Sequence, residues 1–265
     1  MNTVDVLFCN CSQCEVIPED RKKRILSELT AANVNLIVVP DLCGMAAERD
    51  PFLADLAKRQ ALKIVACFPR SVRWLFHRAG APLPENGIEF FNMRAESAEA
   101  VLSALALSPS SGDSETVTSP VGPAGVQCDR MCENCASAGG KSDWISWFPV
   151  IDYSRCTKCG QCLEFCLFGV YESDGNGGVS VANPAACKTN CPACARICPH
   201  AAIIFPRVED DPINGAEIKD EEKVRVNAKI NVEEYLGENV YAALAVRKMK
   251  RKALLLKKRE DGVPV

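Results

Sequence analysis

Two tight runs of cysteine constrain this chain more than any other feature. Cys156, Cys159, Cys162 and Cys166 follow C-x2-C-x2-C-x3-C, and Cys187, Cys191, Cys194 and Cys198 follow C-x3-C-x2-C-x3-C, closed by Pro199. Such short spacings let three thiolates wrap one iron–sulfur cube while the chain turns around it, and the fourth cysteine of each run points to the other cube. Thiolates are soft donors that suit this kind of metal cluster. Structural zinc is the plainer alternative for the same residues. The chain holds 16 cysteines in 265 residues but only two histidines, His77 and His200. That count excludes chemistry built on several histidines, such as three-histidine zinc catalysis.

The run from Ile151 to Pro206 resembles a bacterial-type two-cluster ferredoxin domain. The resemblance implies an α+β fold with two 4Fe–4S clusters. The first would be held by Cys156, Cys159, Cys162 and Cys198, the second by Cys166, Cys187, Cys191 and Cys194. Two departures stand out. Leu167 replaces the usual proline after the first run, and one extra residue between Cys187 and Cys191 is expected to bulge the loop around the second cluster.

The first 107 residues read differently. Apolar strand signals at 4–8, 36–39, 62–68 and 88–91 alternate with helical patterns at 21–32, 51–60, 71–79, where Ser71 is expected as the cap, and 96–107. That alternation predicts an α/β domain, a parallel sheet with flanking helices. Cys9 and Cys11 follow the first strand, Cys43 follows the second, and Cys67 ends the third. Ligand sites of an open parallel sheet lie outside the carboxyl ends of its strands. These four cysteines are therefore expected to converge on one edge, with Gly44 easing the approach of a bulky ligand. Cys67 also reads as a small buried hydrophobe. Cys11 and Cys14 form a C-x2-C pair that would suit thiol redox chemistry instead.

Phe8-Cys9-Asn10-Cys11, Asp41-Leu42-Cys43-Gly44, Ala66-Cys67-Phe68-Pro69-Arg70 and Phe91-Asn92-Met93-Arg94 resemble the N-terminal domain of the flavin-containing A subunit of heterodisulfide reductase. That resemblance implies a 4Fe–4S cluster on Cys9, Cys11, Cys43 and Cys67. The family's flavin domain carries a Gly-rich fingerprint that has no counterpart here, so flavin binding is not expected.

A third group, Cys128, Cys132 and Cys135, supplies three ligands spaced C-x3-C-x2-C. Once the other twelve are assigned, Cys14 is left as a candidate fourth. Water, a partner residue, or Cys11 with Cys14 serving the sheet-edge site in its place are alternatives, as is zinc. Arg70 and Arg94 are candidates to balance cluster charge or to make structural ion pairs. His200 is expected only to pack near the first cluster, and His77 to lie at the surface.

Composition sets the remaining limits. Net charge is −3, which argues against a general nucleic-acid binder. No signal peptide and no transmembrane run is expected, so the reading is cytoplasmic, where clustered cysteines mean metal or redox chemistry rather than disulfides. The expected layout is an α/β domain at 1–107 and a Ser/Pro/Gly-rich linker at 108–127. An iron–sulfur domain at 128–206 and a charged tail at 207–265 complete it. The tail ends in a helix capped by Asn231, and eight of its 13 residues from Arg247 to Arg259 are Lys or Arg. That helix reads as a solvated terminus or as a docking element.

No catalytic residues and no substrate pocket are expected. The reading is an electron-transfer subunit of an anaerobic oxidoreductase complex. Its partners would be other subunits: flavin, heterodisulfide-reductase-like, hydrogenase or dehydrogenase. The rival readings are a thiol/disulfide enzyme using Cys11 and Cys14 and a zinc-stabilised interaction protein.

Overall fold

The computed structural model describes residues 4–59, 61–106, 144–173, 175 and 177–222, together with Val246 and Met249. The expected linker, Cys128, Cys132 and Cys135 lie outside the described residues. So does the C-terminal helix, apart from those two positions. The chain divides into two compact units, Met1–Ser146 and Trp147–Val265.

The first unit is built on four parallel strands: β1 (Asp5–Cys9), β2 (Asn35–Val39), β3 (Leu62–Ala66) and β4 (Ile88–Asn92). Their order is β2-β1-β3-β4, with Leu7 opposite both Ile37 and Ile64. Val6, Leu7 and Phe8 are fully buried because β1 is a central strand covered on both faces. Each such apolar side chain contributes about 1.5–3 kcal/mol on burial. Parallel pairing demands crossovers, supplied by α1 (Glu19–Ala31), α2 (Leu42–Glu48), α3 (Phe52–Ala57) and α4 (Pro69–Arg78). A last helix, α5 (Ala98–Leu105), follows β4. Helix α1 buries Ile25 and Leu29 at helical spacing. Its buried Lys22 is neutralised by Glu19 one turn earlier.

Two details depart from expectation. Helix α2 was not expected; Asp41 caps it, its carboxylate accepting from the Gly44 N–H at 2.8 Å. Ser71 was expected to cap α4, but the helix starts two residues earlier, at Pro69, and Ser71 is wholly buried. Proline presets the first helical φ and holds Phe68 extended before it, so it marks this start better than the serine does.

The second unit has little regular structure. Strand β5 (Val150–Ile151) pairs antiparallel with β8 (Ile203–Ile204), and β6 (Tyr171–Ser173) pairs antiparallel with β7 (Val179–Val181). Between them lie two short helices, α6 (Gln161–Phe165) and α7 (Ala193–Arg196), and a 3-10 turn at Pro184–Ala186. Cys159, Cys162 and Cys166 recur 32 residues later as Cys191, Cys194 and Cys198. The backbone repeats with them. Lys158 and Asn190 both sit at φ 60°, and Gly169 and Ala201 sit at φ 70° and 45°. Each sheet joins a strand preceding one run to a strand following the other, so the unit is a twofold internal repeat.

Residues 207–216 fold onto this unit. The Phe205 N–H donates to the Ile213 carbonyl at 2.8 Å. Buried Asn214 donates from its side chain to the Glu209 carbonyl and the Asp211 carboxylate. Among the described residues, no helix is long and apolar enough to cross a membrane.

Candidate metal centres

In the second unit the thiols sort into two sets by their mutual electrostatics. Burial pushes the Cys162 thiol up to about 12, and Cys198, Cys156 and Cys159 add to that rise. Burial pushes Cys187 up to about 12 as well, with Cys166 and Cys191 adding to it. Cys194 is raised by burial and then by Cys166, Cys187 and, last, Cys162. Each run therefore sends its fourth cysteine toward the other: Cys198 acts on Cys162, and Cys166 acts on Cys187 and Cys194.

The repeat explains the positioning. Cys162 and Cys194 are each the second residue of a short helix, α6 and α7. The left-handed residues Lys158 and Asn190 turn the chain immediately before Cys159 and Cys191. The extra residue of the second run is taken up in a turn closed by the Cys191 N–H on the Lys188 carbonyl, 3.1 Å. The sulfur of Cys198 accepts the Ala202 N–H at 3.3 Å, and the N–H groups of His200 and Ile203 also act on it. Arg155 donates to the His200 carbonyl and pairs with Glu221, both at short range, which fixes the loop that follows Cys198. Leu167 and Phe168, after the first run, are exposed.

The first unit gathers thiols at the carboxyl ends of its strands. Cys9 ends β1, Cys11 lies two residues on with φ 46°, Cys43 is in the first turn of α2, and Cys67 follows β3. The sulfurs of Cys9 and Cys11 stand 3.3 Å apart. That hydrogen bond holds Cys9 below the ordinary thiol range and Cys11 well above it. Burial and the charges of Cys9, Cys67 and Cys43 raise Cys11 further. Burial pushes Cys67 up to about 12, with Cys9 adding and Arg94 opposing. All four expected thiols thus share one electrostatic neighbourhood.

The surroundings are equally specific. Asn92 accepts the Arg94 and Ala95 N–H groups, turning the chain after β4 so that Arg94 stacks over Phe68 beside Cys67. Buried Asp41 accepts from the Ser146 hydroxyl at 2.7 Å, and the Ser146 N–H donates to the Gln13 side-chain oxygen at 3.3 Å. Gly44 was expected to make room for a ligand. The atoms nearest its missing Cβ are instead the Asp41 carboxylate, at 3.2 Å, and the Ser146 hydroxyl. The Asp41–Ser146 network spans 105 residues, and no sequence signal announced it.

Half-buried Cys14 makes a turn with Cys11 through its N–H, 3.1 Å. The sulfur contact of Cys11 is with Cys9. His77 is an exposed member of α4 against Trp74. Among the described residues no three His, Cys, Asp or Glu side chains gather as a site for one metal ion. Burial is the first cause of the rise in Cys67, Cys162, Cys187, Cys194 and Cys198, and metal binding by such thiols releases their protons.

Comparison with known proteins bears on the second unit. The model of the 4Fe–4S binding domain family matches residues 149–169. An uncharacterized ferredoxin of Methanocaldococcus jannaschii is 49% identical over 69 residues, which is 26% of this chain and 46% of that protein. The chain thus spans about half the length of the curated relative it matches. No solved structure gives a significant match. The second unit carries a ferredoxin-type iron–sulfur domain, and electron transfer is the chemistry to which such a domain points.

Proposed function

We propose that this chain is an electron relay carrying several 4Fe–4S clusters within a larger oxidoreductase complex. The observation that carries the reading is that the last thiol of each cysteine run acts on a thiol of the other, Cys198 on Cys162 and Cys166 on Cys187. On this reading Cys156, Cys159, Cys162 and Cys198 hold one cluster, and Cys166, Cys187, Cys191 and Cys194 hold a second. Cys9, Cys11, Cys43 and Cys67 hold a third at the sheet edge. Its support is their shared neighbourhood and the resemblance of these segments to the N-terminal domain of the heterodisulfide reductase A subunit. Cys128, Cys132 and Cys135, with Cys14, hold a fourth; their spacing and the count of remaining cysteines support it.

When bound, such clusters take up and release single electrons. The chain's own residues do the rest. Burial keeps water from the sulfurs of Cys9, Cys11, Cys43 and Cys194. Backbone N–H groups of His200, Ala202 and Ile203 stabilise negative charge on Cys198. The Arg94 guanidinium offsets negative charge beside Cys67. Arg155 and Glu221 lock the loop after Cys198, so the geometry need not reorganise when charge changes. No group here is assigned to bind or activate a small substrate. The basic C-terminal segment, 231–265, would dock the chain to a partner subunit; its deletion should weaken complex assembly in a pull-down.

The test is iron and acid-labile sulfide per chain after anaerobic purification. The expectation is about 16 of each. About 12 would remove one of the two less supported sites, and about eight would confine electron transfer to the second unit. A colourless, zinc-containing protein would overturn the proposal.

A further inference from the structure

One side chain breaks the internal repeat of the second unit beside its thiols. Tyr171 opens β6, opposite Val181, and is almost wholly buried. Its hydroxyl oxygen stands 3.1 Å from the sulfur of Cys194. Cys162 and Cys166 also lie within its electrostatic reach, so the ring sits where the two thiol sets face each other. The repeat-related position, 32 residues on, is Ile203, which has no donor. One set therefore has a side-chain hydroxyl on a sulfur, while the other has backbone N–H groups on Cys198.

The direction of the Tyr171 hydrogen bond follows from elementary chemistry. A phenol carries its proton at neutral pH, and a metal-bound thiolate has none to give. Tyr171 must therefore donate. A bond donated to sulfur is stronger when the sulfur is more negative, so it favours the reduced state of whatever that sulfur ligates. A buried hydroxyl with no competing water delivers that preference undiluted.

We propose that Tyr171 is a positioning residue that raises the reduction potential of the cluster held by Cys166, Cys187, Cys191 and Cys194, by donating its hydroxyl to the Cys194 sulfur. This rests on the reading of Cys194 as a ligand. Tyr171 thereby makes that cluster the better electron acceptor than its cysteines alone would make it. The hydroxyl thus adds a chemical difference between the two sites to the extra residue that precedes Cys191.

The experiment uses the full-length chain, purified anaerobically, with the Tyr171→Phe and Cys194→Ala variants. Spectra monitored during a redox titration follow each cluster, and the signal lost in Cys194→Ala identifies the second set. In Tyr171→Phe, iron and sulfide should be unchanged. The second set should titrate at more negative potential, so that its reduced fraction at the parent's midpoint falls about fivefold. The first set should not move. Proton hyperfine spectra of the reduced parent in H2O and D2O should show an exchangeable proton close to the second set, absent from Tyr171→Phe. An unshifted midpoint would overturn the proposal, as would a parent protein lacking that exchangeable proton. The hyperfine measurement needs only the parent, so it decides even if the variant loses iron. Retention of every cluster signal in Cys194→Ala would instead overturn the ligand reading itself.

Discussion

The first unit brings Cys9, Cys11, Cys43 and Cys67 to one edge of a four-stranded sheet that is already complete without them, whereas the second unit wraps its cysteines in elements of only two to five residues around a small apolar core that includes Phe148, Ile151, Ile204 and Phe205. Val6, Leu7, Phe8, Ile25, Leu29, Leu53 and Val72 are all fully buried in the first unit, and the sheet orders the thiols as a by-product of its topology. In the second, strands of two and three residues and helices of five and four surround eight thiols. Elements that short do not persist alone; three or more strands or a long amphipathic helix are needed for independent stability. The contrast teaches that similar sets of four thiols can be either a passenger on a fold or its keystone.

The sharpest way to break that comparison is to strip the iron. Chelation under anaerobic conditions should unfold residues 150–216 and leave the parallel sheet intact. Coupling of this kind is worth on the order of 10 kcal/mol in small metal-organised domains. Hydrogen exchange checks it: amides of β5 to β8 should lose protection while those of β1 and β3 keep theirs. Equal loss in both units would erase the distinction. A smaller effect is expected from Cys43→Ala. It should remove about four irons and about four sulfides while costing the first unit at most about 1 kcal/mol. Undiminished iron content in that variant would leave the sheet-edge thiols as plain core residues.

Sequence made some of this legible and hid the rest for physical reasons. The strands of the first unit were readable because runs such as Val6-Leu7-Phe8 and Leu36-Ile37-Val38-Val39 are apolar on both faces, as buried parallel strands must be. The placing of Cys9, Cys11, Cys43 and Cys67 at one sheet edge followed from parallel topology, since Cys9 ends β1, Cys11 and Cys67 follow β1 and β3, and Cys43 opens the helix after β2. The seven-residue helix α2 was not readable from periodicity: it is short and contains Gly44 near its start. The usable signal was Asp41, whose carboxylate caps it. The start of α4 was misplaced by trusting Ser71 over Pro69. Contacts between distant residues were not legible at all. Ser146 reaches Asp41 across 105 residues, and Tyr171 meets Cys194 across 23 through pairings that no local pattern encodes.

Two helix caps in the first unit give the finest comparison, because they use the same device in different surroundings. Ser97 caps α5 by accepting the Ala100 N–H at 3.2 Å, at an exposed end. Asp41 caps α2 while buried, and it holds the Ser146 hydroxyl as well. Asp41→Ala removes the cap on the Gly44 N–H and leaves the buried Ser146 hydroxyl with the longer contact to Gln13, 3.1 Å, so the expected cost is about 2 kcal/mol. Ser97→Ala frees one donor that water can satisfy, so the expected cost is about 1 kcal/mol. Denaturant titration of the first unit's signal measures both. Iron content should stay constant in both variants. The Asp41 carboxylate raises Cys9 and Cys67, and its removal takes away negative charge near thiolates rather than adding it. Equal costs for the two caps would mean that Ser146 contributes nothing to the sheet edge. A loss of iron in Asp41→Ala alone would mean instead that the cap positions the Cys43 turn for its metal, so that even in the sheet-built unit the thiols depend on more than topology.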